Sequence, residues 1–179
     1  MSKRIAGLDL STTTAGYSLL DDGELVKKNY YDFDKSDGWT FTDLWDQFES
    51  NVLTEISDAD VIVLEAALKK YGGMTSRASI IKLLQFNAVV SHELRKRLGK
   101  DSLIHVHPST AKKAALGRGR VPKGFDGSGK EWVLQEIGER YDIEWPRTRY
   151  DNIRSQMEDV ADAIVLAKAY NDNPDHVAS

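Results

Sequence analysis

The chain has 179 residues, 41% of them hydrophobic, and a formal net charge of −4. That length suits a single domain over residues 1–179, large enough to bury a core unaided, and the absence of cysteine excludes a disulfide framework and a thiolate metal site. No apolar run reaches the length of a secretory leader or a membrane span, so the chain reads as soluble and cytoplasmic, with no membrane partner.

In chain order, residues 4–10, 15–20 and 24–32 read as strands, with Asp21-Asp22-Gly23 as a turn, which predicts an antiparallel meander. Phe41, Leu44, Trp45, Phe48, Val52, Leu53 and Ile56 recur at helical spacing and predict a helix over 39–56. Residues 60–65 form a short apolar strand. A long helix is expected over 76–98, with Ile80, Leu83, Leu84, Ala88 and Leu94 toward the core and Gly99 at its end. Residues 103–107 read as a strand stopped by Pro108, after which Ser109 or Thr110 can cap a helix to Leu116. A Gly-rich basic loop covers 117–129, then come a helix over 131–141 and a last one over about 155–170. The order predicts an α/β domain with a mixed sheet.

Acidic residues stand at telling places in this frame. Alternation puts Ile5, Gly7 and Asp9 on one face of the first strand and Ala6, Leu8 and Leu10 on the other. Glu65 ends the next apolar strand on the same face as Val61 and Val63. The last helix carries Asp159 and Asp162, three apart and so on one side of it; the rest of that helix is apolar nearly all round, which predicts burial. Taken singly, each of the four reads as a turn, cap or surface acid. Together they would repel one another and ionise late unless a cation compensated them, and hard oxygen ligands suit Mg²⁺ or Mn²⁺.

Basic residues are concentrated in the middle. Residues 66–131 hold 14 lysines and arginines against four acids, while the rest of the chain is acidic. One face meeting a polyanion would show this asymmetry, and so would a set of solvated helix faces.

At this point the sequence resembles the RuvC family of Holliday junction resolvases, within the ribonuclease H-like superfamily. The matching pieces are Gly7-Leu8-Asp9-Leu10-Ser11 with Thr14-Ala15-Gly16-Tyr17, then Val63-Leu64-Glu65, then the run from His107-Pro108-Ser109-Thr110 to Gly117-Arg118-Gly119, then Asp159-Val160-Ala161-Asp162-Ala163. The resemblance implies a ribonuclease H-like mixed five-stranded sheet, an antiparallel meander plus parallel strands, flanked by helices. It implies that Asp9, Glu65, Asp159 and Asp162 hold two Mg²⁺ or Mn²⁺ ions, with Lys112 as a further catalytic residue. A homodimer cutting branched DNA in symmetric strands would follow, with the helix over 76–98 as candidate dimer surface. DNA contacts are expected from Lys69, Lys70, Tyr71, Arg77, Lys113, Arg118, Arg120, Lys123 and Lys130. The chain departs from the family in the insertion over 120–129 and after Glu65, where Ala66-Ala67-Leu68-Lys69-Lys70-Tyr71 lacks the usual aromatic position. These departures resemble phage-encoded members, which would work in the host cytoplasm.

Other readings compete. Gly124-Phe125-Asp126-Gly127-Ser128-Gly129-Lys130-Glu131 nearly matches a phosphate-binding loop, but Glu131 stands where Ser or Thr is needed and no strand precedes it. Asp9-Leu10-Ser11-Thr12-Thr13 before a hairpin resembles the phosphate loop of sugar kinases and actin-like proteins, whose cleft needs a second such domain. A ribonuclease acting on RNA/DNA hybrids and a non-catalytic DNA-binding module stay open. His105 and His107, two apart on a strand, are a metal pair or packed strand residues.

Overall fold

The computed structural model describes residues 3–36, 39–66 and 76–177. Strands β1 (Arg4–Leu10), β2 (Thr14–Asp21), β3 (Glu24–Asp32), β4 (Val61–Glu65) and β5 (Leu103–Val106) form one sheet in the order β3-β2-β1-β4-β5. β2 pairs antiparallel with β1 and with β3, while β4 runs parallel to β1 and β5 parallel to β4. Asp22 and Gly23, both at positive φ, make the tight turn between β2 and β3, the backbone that a two-residue hairpin demands. Parallel neighbours need longer crossovers, and helices α1 (Phe41–Asn51) and α2 (Arg77–Leu98) lie in them.

The period of two sorts side chains onto the two sheet faces as the sequence predicts. Ala6, Leu8, Leu10, Ile62 and Leu64 pack with Phe48, Phe86, Val90 and Leu94 beneath α1 and α2. Ile5, Leu20, Val61 and Val63 face the other layer, made of α3 (Pro108–Leu116), α4 (Gly129–Tyr141) and α5 (Gln156–Asp172), with the short α6 (Pro174–Val177) after it. α5 lies across β1 and β2, and its near-continuous apolar surface is buried among them.

Several expectations are corrected. The helix over 39–56 is two pieces: α1, capped by Thr40 and Asp43 in a reciprocal box, and a separate 3-10 turn, Leu53–Ile56. The core face of α2 is Phe86, Val90 and Leu94; Leu84 and Ala88 are exposed, and Ile80 and Leu83 only partly covered. β5 stops at Val106. His107 rather than Ser109 or Thr110 caps α3, its Nδ1 accepting from the Ser109 backbone N–H, and Pro108 follows at the first helical position, where no amide partner is lost. His105 instead bonds Ser91 of α2 at 2.9 Å, so the two histidines serve different elements and do not form a metal pair. Ser128 and Glu131 form the capping box of α4, which explains why Glu131 occupies the position a phosphate loop would give to Ser or Thr. Lys69, Lys70 and Tyr71 lie outside the described residues. Among the described residues no helix is long and apolar enough to cross a membrane.

Candidate active site

Asp9 is the penultimate residue of β1 and Glu65 the last of β4. These are parallel neighbours with Leu8 opposite Leu64, so the two acids are the next pair along, on strands about 4.8 Å apart. β3 runs the same way as β1, and its last residue, Asp32, ends at the same edge, paired with Thr14. Three strands thus present a carboxylate where they finish.

Asp159 and Asp162 come from the first two turns of α5. Small residues in the strands let that helix settle low enough to bring them in. Gly16 lies opposite Asp9 in the β1–β2 ladder, and a Cβ there would sit 2.4 Å from the Asp159 carbonyl oxygen. A Cβ on Gly7 would sit 1.9 Å from the Ala163 carbonyl oxygen. Ser18, opposite Gly7 and fully buried, donates its hydroxyl to that same carbonyl at 3.0 Å. Helix backbone therefore rests directly on strand backbone, a distance only these side chains permit.

The electrostatics show that the acids share one environment. Burial first, then the charges of Glu65, Asp162 and Asp159, hold the Asp9 carboxyl well above the usual carboxylate range, with Lys112 opposing. Glu65 is pushed up to about 7 by burial and then by Asp162, again against Lys112. Asp159 is pushed up to about 6 by burial, Lys130 pulling it down while Asp162, Glu158 and Asp32 raise it. Lys112 Nζ of α3 lies 3.2 Å from Asp162 Oδ1, without the geometry of a hydrogen bond. That oxygen is buried and has no hydrogen-bond donor among the described residues.

An acidic rim surrounds this centre. Lys130, in the first turn of α4, pairs with Glu158. Asp32 accepts from Thr14 Oγ1 at 3.1 Å and from Gln156 Nε2 at 3.3 Å, tying the start of α5 to the end of β3. Sequence reasoning passed over Asp32, Gln156 and Glu158. Asp32 carried a usable signal, since it closes a third strand of the same direction as those ending near Asp9 and Glu65.

The donor set fits a divalent cation of oxygen preference. All ligands on offer are carboxylates, three resist ionisation in its absence, and Asp162 Oδ1 is an orphaned buried acceptor. Among the described residues, however, no three acidic or imidazole groups already stand around one point as a finished ligand shell; Lys112 is the cation that meets Asp162 here.

The structure thus brings together Asp9, Glu65, Asp159, Asp162, Lys112 and Lys130. Lys113, next in sequence to Lys112, points elsewhere, into a groove with Asn173, His176 and Val177. Arg77 is the exposed first residue of α2. Arg118, Arg120 and Lys123 are exposed in the loop between Gly117, in the left-handed conformation, and the Ser128 cap.

The sequence matches no protein-family model and no curated protein. Solved structures do match. RuvC of Thermus thermophilus aligns over 96% of this chain and 95% of its own, with a TM-score of 0.62 and 16% identity. The T. thermophilus RuvC in complex with a Holliday junction substrate aligns over 96% and 94%, with a TM-score of 0.62 and 15% identity. The yeast mitochondrial Holliday junction resolvase Ydc2 aligns over 94% of this chain and 78% of its own, with a TM-score of 0.64 and 14% identity. Sheet order, strand directions and flanking helices together give this chain the ribonuclease H-like fold of the RuvC resolvase structures.

Proposed function

We propose that the chain is a divalent-metal-dependent, structure-selective endonuclease that cuts phosphodiester bonds in Holliday junctions or other branched DNA, working as a homodimer. The carrying observation is the meeting of Asp9, Glu65, Asp159 and Asp162 at one sheet edge, with the Asp162 oxygen left without a donor. These four would hold two Mg²⁺ or Mn²⁺ ions, which when bound supply an activated water and stabilise charge on the phosphodiester. Lys112 neutralises the cluster from α3 and is placed to meet a phosphate oxygen arriving there. Lys130 does the same at the rim, once released from Glu158. Arg77, Arg118, Arg120 and Lys123, exposed and without a carboxylate partner among the described residues, would position the DNA backbone without reading sequence; Lys69, Lys70, Tyr71 and Lys113 belong to the same proposal on sequence alone. The exposed apolar side chains Ile81 and Leu84 of α2 support a dimer through that helix.

A nicking assay with Mg²⁺ or Mn²⁺ on a synthetic four-way junction, a linear duplex and an RNA/DNA hybrid tests the reading. Wild type is expected to cut the junction in preference to the others. Asp162→Asn is expected to cut at least about a hundredfold more slowly while still binding the junction. Equal rates for the two proteins, or preference for the hybrid, would overturn it.

A further inference from the structure

Between α4 and α5 the chain forms a small hairpin that the carboxylate site does not use. An Arg147–Ile153 bridge closes it, with the Thr148 amide donating to the Asn152 carbonyl at 2.7 Å and the Arg154 amide to the Pro146 carbonyl at 3.1 Å. Asp151 takes the left-handed conformation at its turn, φ +64°, which aspartate tolerates better than most residues. Residues 146–154 hold three arginines against this one aspartate.

Its tip is built as a presented surface. Tyr150 is 70% exposed, more than any other large hydrophobic residue among the described ones. The Arg149 guanidinium lies over its ring, 4.6 Å from the centroid, and donates to its hydroxyl at 2.5 Å. Arg147 is spent internally, donating to the Asp151 carbonyl at 2.6 Å and pairing with its carboxylate at 3.6 Å. Arg154 is exposed and has no side-chain partner among the described residues. One arginine thus stiffens the turn, Arg149 covers one side of an otherwise exposed aromatic ring, and Arg154 stays available beside them.

The hairpin's return strand runs straight into α5, the Met157 amide donating to the Arg154 carbonyl at 2.9 Å. Measured along strand and helix, the tip is within about 25 Å of Asp159, or about seven nucleotide steps of 3.4 Å. That separation is within the span of a DNA arm whose phosphate sits at the carboxylates. An exposed ring stacked against a guanidinium matches a nucleobase with its flanking phosphates, since every base offers a π-face and arginine binds phosphate through a planar fork.

We propose that the 147–154 hairpin is a second DNA-contacting element, in which Tyr150 stacks on an unpaired base near the branch point while Arg149 and Arg154 hold neighbouring phosphates. This rests on the branched-DNA reading of the carboxylate site. The test is equilibrium binding of the full chain to a four-way junction and to a linear duplex, with Ca²⁺ in place of Mg²⁺ so that binding is read without cutting. Tyr150→Ala is expected to weaken junction binding about tenfold and duplex binding less than about twofold, while Tyr150→Phe keeps wild-type affinity because the ring is retained. Arg154→Ala weakens both and lowers the slope of log affinity against log salt by about one. Junction binding by Tyr150→Ala equal to wild type overturns the hairpin proposal alone. A wild-type chain that does not prefer the junction overturns the branched-DNA reading, and the hairpin proposal with it.

Discussion

The two faces of the sheet are held by opposite means. Beneath α1 and α2 the interior is filled by volume: Phe48, Phe86 and Leu94 are fully buried, and Phe33 meets Phe86 edge-on with ring centroids 5.3 Å apart. Beneath α5 it is filled by closeness: Gly7, Gly16 and Ser18 meet the helix backbone with almost no side chain between. Large side chains give the first face its cohesion but keep its helices at a distance. The second face gives up buried volume and gains a helix low enough to aim two carboxylates at the strand ends. Ordinary packing tolerates some spread in helix height, whereas carboxylates that must converge from strands and helix do not.

The largest effects are expected from truncating one face and crowding the other. Phe86→Ala should cost about 3–5 kcal/mol by leaving a cavity, and Gly7→Ala about 3 kcal/mol or more, because its Cβ meets backbone that cannot rotate away. Urea unfolding reads both losses. Cleavage per folded molecule separates them: it should survive Phe86→Ala and fall in Gly7→Ala, where α5 is lifted and its acids with it. Equal specific activities would show that helix height is not what positions the site.

An effect on the order of 3 kcal/mol is expected from pH in metal-free protein. In the unfolded chain Glu65 and Asp159 ionise near the ordinary values of about 4; in the fold they do so near 7 and 6. Between those limits the folded state holds more protons, so the contribution of these two groups to stability is full below about pH 4 and is lost as pH rises through 7. Urea midpoints in a chelator should fall from pH 4.5 to 7.5, and Mg²⁺ added at pH 7.5 should restore much of the loss. A midpoint that climbs across that window would refute the strained cluster. The smallest change is Ser18→Ala, which removes the hydroxyl donated to Ala163 and should cost about 1 kcal/mol in the same assay.

What the sequence revealed follows from how local each cause is. A period of two needs no tertiary information, so the faces of Ile5-Gly7-Asp9 and Ala6-Leu8-Leu10 were readable, as were the burial of α5 and the strand-end positions of Asp9 and Glu65. α2 misled because its apolar side chains do not form one stripe: Ile81 and Leu84 are exposed on the same helix that buries Phe86 and Val90. His107 as a cap was hidden by two commoner capping residues just after it. Asp32 ends a strand of the right direction, which the sequence does show, but its tie to the start of α5 runs through Gln156, 124 residues away. The glycines at 7 and 16 were visible, but not what they make room for, because that partner also lies far along the chain.

The close seating of α5 also sets an order on the birth of the molecule. Ser18 and the carbonyl it grips are 145 residues apart in sequence, so a nascent chain emerging from the ribosome must wait for its late helix before its first two strands are covered. Contacts of such long separation form slowly and leave apolar strand surface open meanwhile. The acids of β1 and β4 can therefore gain their helical companions only when synthesis has passed α5, and until then the carboxylate cluster is incomplete.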